Sequence, residues 1–171
     1  CSTGDLNWTS NSSTDHDSDG CLDSSSEDLD DDNDSVLDSS DLCSIGELNW
    51  ISNSSTDHDT DGCQDNSFED QDDDNDGLND LSDSCPTGEL NWISSSTTDY
   101  DSDGCQDSNE DTDDDNDSVQ DSSDLCSTGQ LDWTSNSTND HDTDGCQDNS
   151  SEDLDDDNDS IPDLSDLCST G

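Results

Sequence analysis

The sequence predicts a mostly irregular, loop-built linear repeat array with little regular secondary structure, held by staples rather than by an apolar core. Three observations predict it. The chain carries fifty-two Asp and Glu against no Lys or Arg, a formal net charge of −52, and only 20% of its residues are hydrophobic. A chain of that composition cannot bury enough apolar surface to fold by itself. It nevertheless has nine cysteines, and small extracellular modules use covalent or metal staples where a core is missing. Third, the cysteines fall on a fixed period, the mark of a repeat architecture.

Cys1, Cys43, Cys85, Cys126 and Cys168 are spaced 42, 42, 41 and 42 residues apart, and Cys21, Cys63, Cys105 and Cys146 each follow the preceding one by twenty. Trp8, Trp50, Trp92 and Trp133 sit seven residues after the first cysteine of each unit. The repeats are therefore 1–42, 43–84, 85–125 and 126–167, each with thirteen acidic residues, and 168–171 starts a fifth. Because "CSTG" both opens and closes the sequence, it reads as a window of a longer array.

Each unit has two halves. The first, such as "CSTGDLNWTSNSST" at 1–14, is rich in Ser, Thr and Asn with an apolar Leu6 and Trp8; the second, Asp15 to Asp41, is largely acidic. Neither half shows helical periodicity, and runs of Asp, Ser, Asn and Gly favour turns. At most, "ELNWIS" at 47–52 forms a short strand with Leu48, Trp50 and Ser52 on one face.

Aspartate at alternating positions has a specific use. Calcium takes six to eight oxygen ligands, and a tight loop supplies them from positions 1, 3, 5, 7 (through the backbone carbonyl), 9 and 12. In "DHDSDGCLD", Asp15, Asp17, Asp19, Cys21 and Asp23 stand at 1, 3, 5, 7 and 9, with Gly20 turning the chain at 6. The equivalents are Asp57, Asp59, Asp61, Cys63 and Asp65; Asp99, Asp101, Asp103, Cys105 and Asp107; and Asp140, Asp142, Asp144, Cys146 and Asp148. Glu110 falls at position 12 of the third copy. One extra residue puts Glu27, Glu69 and Glu152 at 13, leaving the closing ligand of those loops open.

A second loop follows in every unit. Asp30, Asp32, Asp34, Val36, Asp38 and Asp41 occupy positions 1, 3, 5, 7, 9 and 12. Their counterparts are Asp72, Asp74, Asp76, Leu78, Asp80 and Asp83; Asp113, Asp115, Asp117, Val119, Asp121 and Asp124; and Asp155, Asp157, Asp159, Ile161, Asp163 and Asp166. Position 6 is Ser in three copies and Gly only at Gly77. Magnesium suits such loops less well because it keeps its waters, and soft metals would want clustered Cys or His. The bland alternative is a solvated acidic spacer, against which stand eight loops in one register. The expected fold is thus a calcium- and disulfide-stabilised linear repeat array.

The run "DDDNDGLNDLSDSC" at 72–85 follows the pattern DxDxDGxxDxxDxC and resembles thrombospondin type 3 repeats; the other three second loops match apart from Ser at the glycine. The Trp-bearing segments depart from that family, and the whole unit looks like Asp-rich arrays in surface proteins of aquatic bacteria and archaea. The resemblance implies an irregular chain wrapped around a line of calcium ions. The residues alone leave two pairings open, Cys1–Cys21 or Cys21–Cys43. The resemblance implies the first, with Cys43–Cys63, Cys85–Cys105 and Cys126–Cys146, leaving Cys168 for a continuing chain.

His16, His58 and His141 fill the variable position 2 of the first loops, and Tyr100 replaces them in the third unit, which argues against a zinc role. The tryptophans are expected to cover a disulfide or pack on a neighbouring unit, with stacking on a sugar as the functional alternative. Asn7, Asn11, Asn53, Asn136 and Asn149 begin glycosylation sequons outside the loops; Asn33, Asn116 and Asn158 begin them inside a loop.

Taken together, the sequence points to an extracellular or cell-surface calcium-binding protein that forms a rigid stalk or fibril, bears covalent glycans and self-associates or continues into a filament. The rivals are a disordered acidic calcium store or mineral-nucleating polyanion, and the spacer of an adhesin. No nucleophile–base pair suggests an enzyme. Phosphate would meet only negative charge, so nucleic acid is not an expected partner, and no segment suits membrane insertion.

Overall fold

The computed structural model describes Cys1, Gly4 and 6–170; Ser2, Thr3 and Asp5 of the first repeat and Gly171 of the closing motif lie outside the described residues. Among the described residues there is no α-helix and no β-strand, only turns, bends and irregular chain. Local hydrogen bonds such as Asp15 N to the Asn11 carbonyl (3.0 Å) and Asn33 N to the Asp30 carbonyl (3.3 Å) take the place of ladders.

The strand expected at 47–52 does not form. Asn49 sits at φ 71°, and Asn7, Asn91 and Asp132 hold the same place at 73°, 68° and 67°. A left-handed residue breaks the side-to-side alternation on which a strand depends, and Asn and Asp tolerate that region better than most.

The chain divides into two units, Cys1–Leu81 and Ser82–Gly171. The first contains the disulfides Cys1–Cys21 and Cys43–Cys63. The second contains Cys85–Cys105 and Cys126–Cys146. Cys168 is free and exposed. These are the pairings that the family resemblance implied. Each closes a loop of about twenty residues and, in the chain-entropy picture, disfavours the unfolded state by about 3 kcal/mol.

The interior inverts the usual arrangement. The buried apolar side chains are the half-cystines Cys21, Cys63, Cys105 and Cys146, while Phe68, Leu81, Leu164 and Leu167 are almost fully exposed. The buried side chains are aspartates: Asp34, Asp57, Asp76, Asp99, Asp117 and Asp140 have 0% of their surface exposed. Hydrophobic burial therefore contributes little.

Within each unit, successive repeats dock in one way. The Trp-bearing half of repeat 2 lies on the second loop of repeat 1. Ser52 N donates to the Asp34 carbonyl at 2.8 Å, and Gly46 N donates to Asp32 Oδ2 at 2.9 Å. Trp50, half-buried, lines a cleft with Asp17 and Asp32 of the preceding repeat. In the second unit Ser135 N meets the Asp117 carbonyl and Gly129 N meets Asp115 Oδ2, both at 2.8 Å. Glycine suits this place: a Cβ at Gly46 would lie 3.0 Å from Asp32 Oδ2 across the junction, and 2.7 Å and 2.8 Å from the Cys43 carbonyl oxygen and Glu69 of its own repeat.

Candidate metal centres

Each loop is drawn tight by its own carboxylates. In the first loop of repeat 1, Asp15 Oδ1 accepts from Gly20 N (3.2 Å), Asp17 Oδ1 from Asp19 N (2.9 Å) and Asp19 Oδ1 from Cys21 N (2.6 Å). In its second loop, Asp30 accepts from Ser35 N, Asp32 from Asp34 N and Asp34 from Val36 N. The same turns recur at Asp99 with Gly104, Asp117 with Val119, Asp140 with Gly145 and Asp159 with Ile161. Positions 4 and 6 are both left-handed, as at Asn33 (60°) and Ser35 (86°). One oxygen of each of these carboxylates is thereby fixed by an amide, and in Asp15, Asp30 and Asp34 the other is left without a hydrogen-bond partner.

The remaining oxygens converge. Carboxylate oxygens of Asp15, Asp17 and Asp19 all lie within 4.8 Å of one another, as do those of Asp30, Asp32 and Asp34, and of Asp57, Asp59 and Asp61. Oδ2 of Asp15, Oδ2 of Asp34 and Oδ1 of Asp30 are buried with no hydrogen-bond partner. Like-charged carboxylates held this close repel, and burying them unpaired is costly. The clusters have the geometry and donor set to hold a metal ion.

The position-12 aspartates Asp41 and Asp124 are buried beside the other carboxylates of their second loops. Burial pushes Asp41 up to about 7, with Asp32, Asp34 and Asp30 raising it further against the Cys43 amide, which lowers it. Burial likewise lifts Asp124 to about 6, beside Asp117 and Asp115. Asp83 accepts from Cys85 N at 2.6 Å. Asp76, Asp80 and the other members of 72–83 repeat the turn, with Leu78 N on Asp76 Oδ1. Asp121 and Asp163 at position 9 accept the amides of Asp114 and Asp156.

Glu110 behaves like its counterparts despite its different spacing. Its carboxylate accepts from Glu89 N and Gln106 N, just as Glu69 accepts from Glu47 N and Gln64 N, and Glu152 from Gln130 N and Gln147 N. The shared task is to hold two backbone segments together.

At position 2, His16 and Tyr100 donate to the following repeat, whereas His141 Nδ1 meets Asp148 of its own repeat. His16 Nε2 lies 2.9 Å from the Gly46 carbonyl, which only accepts, so that nitrogen carries the proton. Tyr100 Oη donates to the Gly129 carbonyl at 2.8 Å. One hydrogen-bond geometry thus explains why His and Tyr interchange. Asn33 Nδ2 donates to Asp17 Oδ2, and Asn75, Asn116 and Asn158 do the same to Asp59, Asp101 and Asp142, bridging the two loops of each repeat.

Two aspartates per repeat lie outside the loop pattern and yet belong to this acidic interior: Asp28 and Asp31, Asp70 and Asp73, and Asp153 and Asp156 are buried, and Asp111 and Asp114, partly exposed, each bury one oxygen. Burial drives Asp31 up to about 6, helped by Asp38, Asp23 and Asp28, and drives Asp73 and Asp114 up to about 7. Their signal in the sequence is recurrence, since both positions are Asp in all four repeats although a calcium loop leaves its position 2 free.

No family model matches the chain, and no curated protein matches it. The likeness to thrombospondin type 3 repeats thus stands on the loop residues themselves.

Proposed function

We propose that this chain is an extracellular calcium-binding repeat protein whose ions serve as its core and make it a rigid stalk or fibril. The observation that carries the reading is the interior of buried carboxylates with oxygens that meet no donor. The sequence supplies no Lys or Arg to neutralise them. An external cation is the remaining partner, and all-oxygen loops with six potential donors fit calcium. Because the unfolded chain has no preformed site, binding free energy becomes folding free energy. Four disulfides support an oxidising, extracellular location. The loops recur with near-identical geometry, which suits scaffolding along an axis rather than chemistry at one place.

The test is chelation. Removing calcium should collapse protease resistance by an order of magnitude or more while the disulfides remain intact. Resistance that persists in a chelator would show that the ion is not the core.

The exposed Ser, Thr and Asn of the Trp-bearing halves are the proposed sugar-bearing face. Asn7, Asn11, Asn53, Asn136 and Asn149 are all exposed. Nδ2 of Asn11 and Asn53 already donates to Thr9 and Ile51 carbonyls and to Thr14 and Thr56 hydroxyls, so modification there would exchange those bonds for a glycan.

A further inference from the structure

We infer that each repeat holds a third divalent-cation site, between its two loops, built by Asp23, Asp28 and Asp31 in repeat 1, with Asp38 at its edge. Carboxylate oxygens of Asp23, Asp28 and Asp31 lie within 4.8 Å of one another. Asp28 and Asp31 are each 8% exposed, and Asp28 Oδ2 and Asp31 Oδ1 are buried without any hydrogen-bond partner. Their surroundings supply no neutralising group: Asp28 Oδ1 takes the Leu29 amide, and Asp23 Oδ1 takes the His16 amide. Asp38 Oδ1 accepts Asp31 N at 2.9 Å, which brings a fourth carboxylate alongside.

The arrangement recurs. Asp70 Oδ2 and Asp73 Oδ1, Asp111 Oδ2 and Asp114 Oδ1, and Asp153 Oδ2 and Asp156 Oδ1 are the same atoms in the same condition. Asp80, Asp121 and Asp163 accept the amides of Asp73, Asp114 and Asp156 as Asp38 does that of Asp31. Two buried, unpartnered oxygens at the same places in all four repeats make an accident of packing a poor explanation, although in repeat 4 His141 Nδ1 already meets Oδ2 of Asp148, the counterpart of Asp23. In repeat 1, three or four anionic oxygens with no nitrogen or sulfur donor among them select a hard cation, and the irregular geometry suits calcium over the octahedral demand of magnesium. The site reassigns position 9: Asp23 and Asp38 hold the space between loops as well as their own turns. An ion there would tie the first loop to the second in every repeat.

The inference deepens the calcium reading, and ion counting on the intact, disulfide-bonded chain separates the two. Equilibrium dialysis against calcium should give about twelve ions per chain, where the loops alone would give about eight. Asp31→Asn should lower the count by about one and leave the affinity of the other sites within about threefold. Asp73→Asn does the same in repeat 2 and serves as the second variant if the first misfolds. About eight ions in the unaltered chain, or an unchanged count in both variants, would overturn the third site while leaving the loops standing. No calcium uptake at all would overturn both.

Discussion

At Ser35, Ser118 and Ser160 the backbone stands at φ 86°, 79° and 77°, where a side chain is strained and glycine is at home. At Gly62, Gly104 and Gly145 the first loops keep glycine at the same turn for a second reason. A Cβ on Gly62, at φ 92°, would come within 2.2 Å of the Asp41 carboxylate. The two turns therefore respond oppositely to substitution. Ser35→Gly should stabilise the calcium-loaded chain by about 1 kcal/mol by relieving left-handed strain. Gly62→Ala should cost about 1–3 kcal/mol and also weaken the 30–41 loop, whose twelfth-position ligand it displaces. Denaturant titration in saturating calcium checks both, and equal effects would contradict the distinction. The buried carboxylates set the pH response. A group raised on burial favours the folded chain while it is protonated, fully below its unfolded value of 3.8, and that contribution is lost as pH rises through the folded value, about 6 for Asp31 and about 7 for Asp41 and Asp73. The calcium-free chain should thus become more compact on acidification from pH 8 to pH 5. Calcium must displace those protons, so its affinity should fall over the same interval and its binding near pH 6 should release protons. Calorimetry in buffers of different ionisation enthalpy would reveal that release, and its absence would contradict the raised values.

A loop is the unit that a single ligand change disables. Asp32 has two duties: its carboxylate belongs to the 30–34 cluster, and its Oδ2 receives the Gly46 amide of the next repeat. Asp32→Ala should weaken that loop about tenfold or more, loosen the Trp50 segment beside it, and spare repeat 4, since repeat arrays couple mainly to neighbours. Proteolysis mapped by mass spectrometry should show new cutting near 46–52 only; uniform cutting along the chain would contradict local coupling. The loops were legible in the sequence because a carboxylate every second residue, with a turn residue at position 6, states the ligand geometry directly. The docking was less so. Nothing in "GELNWIS" announces that Ser52 N reaches the Asp34 carbonyl or that Gly46 must lack a side chain, because both depend on where the chain goes after Cys43. The strand expectation failed on Asn49 for a related reason: one left-handed residue outweighs an alternating pattern. Asp28 and Asp31 escaped the loop pattern because their role lies between loops, where spacing rules written for one loop do not reach.

Over the whole chain, about three ions per repeat would offset roughly six of the thirteen acids. The residual charge should keep neighbouring chains apart laterally, so a thin fibre is expected rather than a sheet. Imaging in saturating calcium checks this, and compact isolated particles would contradict it. Mass spectrometry of the native material should find sugars on peptides 8–14 and 50–56, and none on Asn33, Asn116 or Asn158, whose amides bridge the two acidic loops of a repeat, where a glycan would separate them. The docking rule also gives the array an arrow. Asp34 and Asp117, whose carbonyls are capped by Ser52 and Ser135 of the following repeat, are wholly buried. Within each unit the second loop of the earlier repeat is thus covered by the Trp-bearing half of the later one. Loosening a following repeat should therefore uncover the loop before it, so damage within a unit spreads toward the N-terminus.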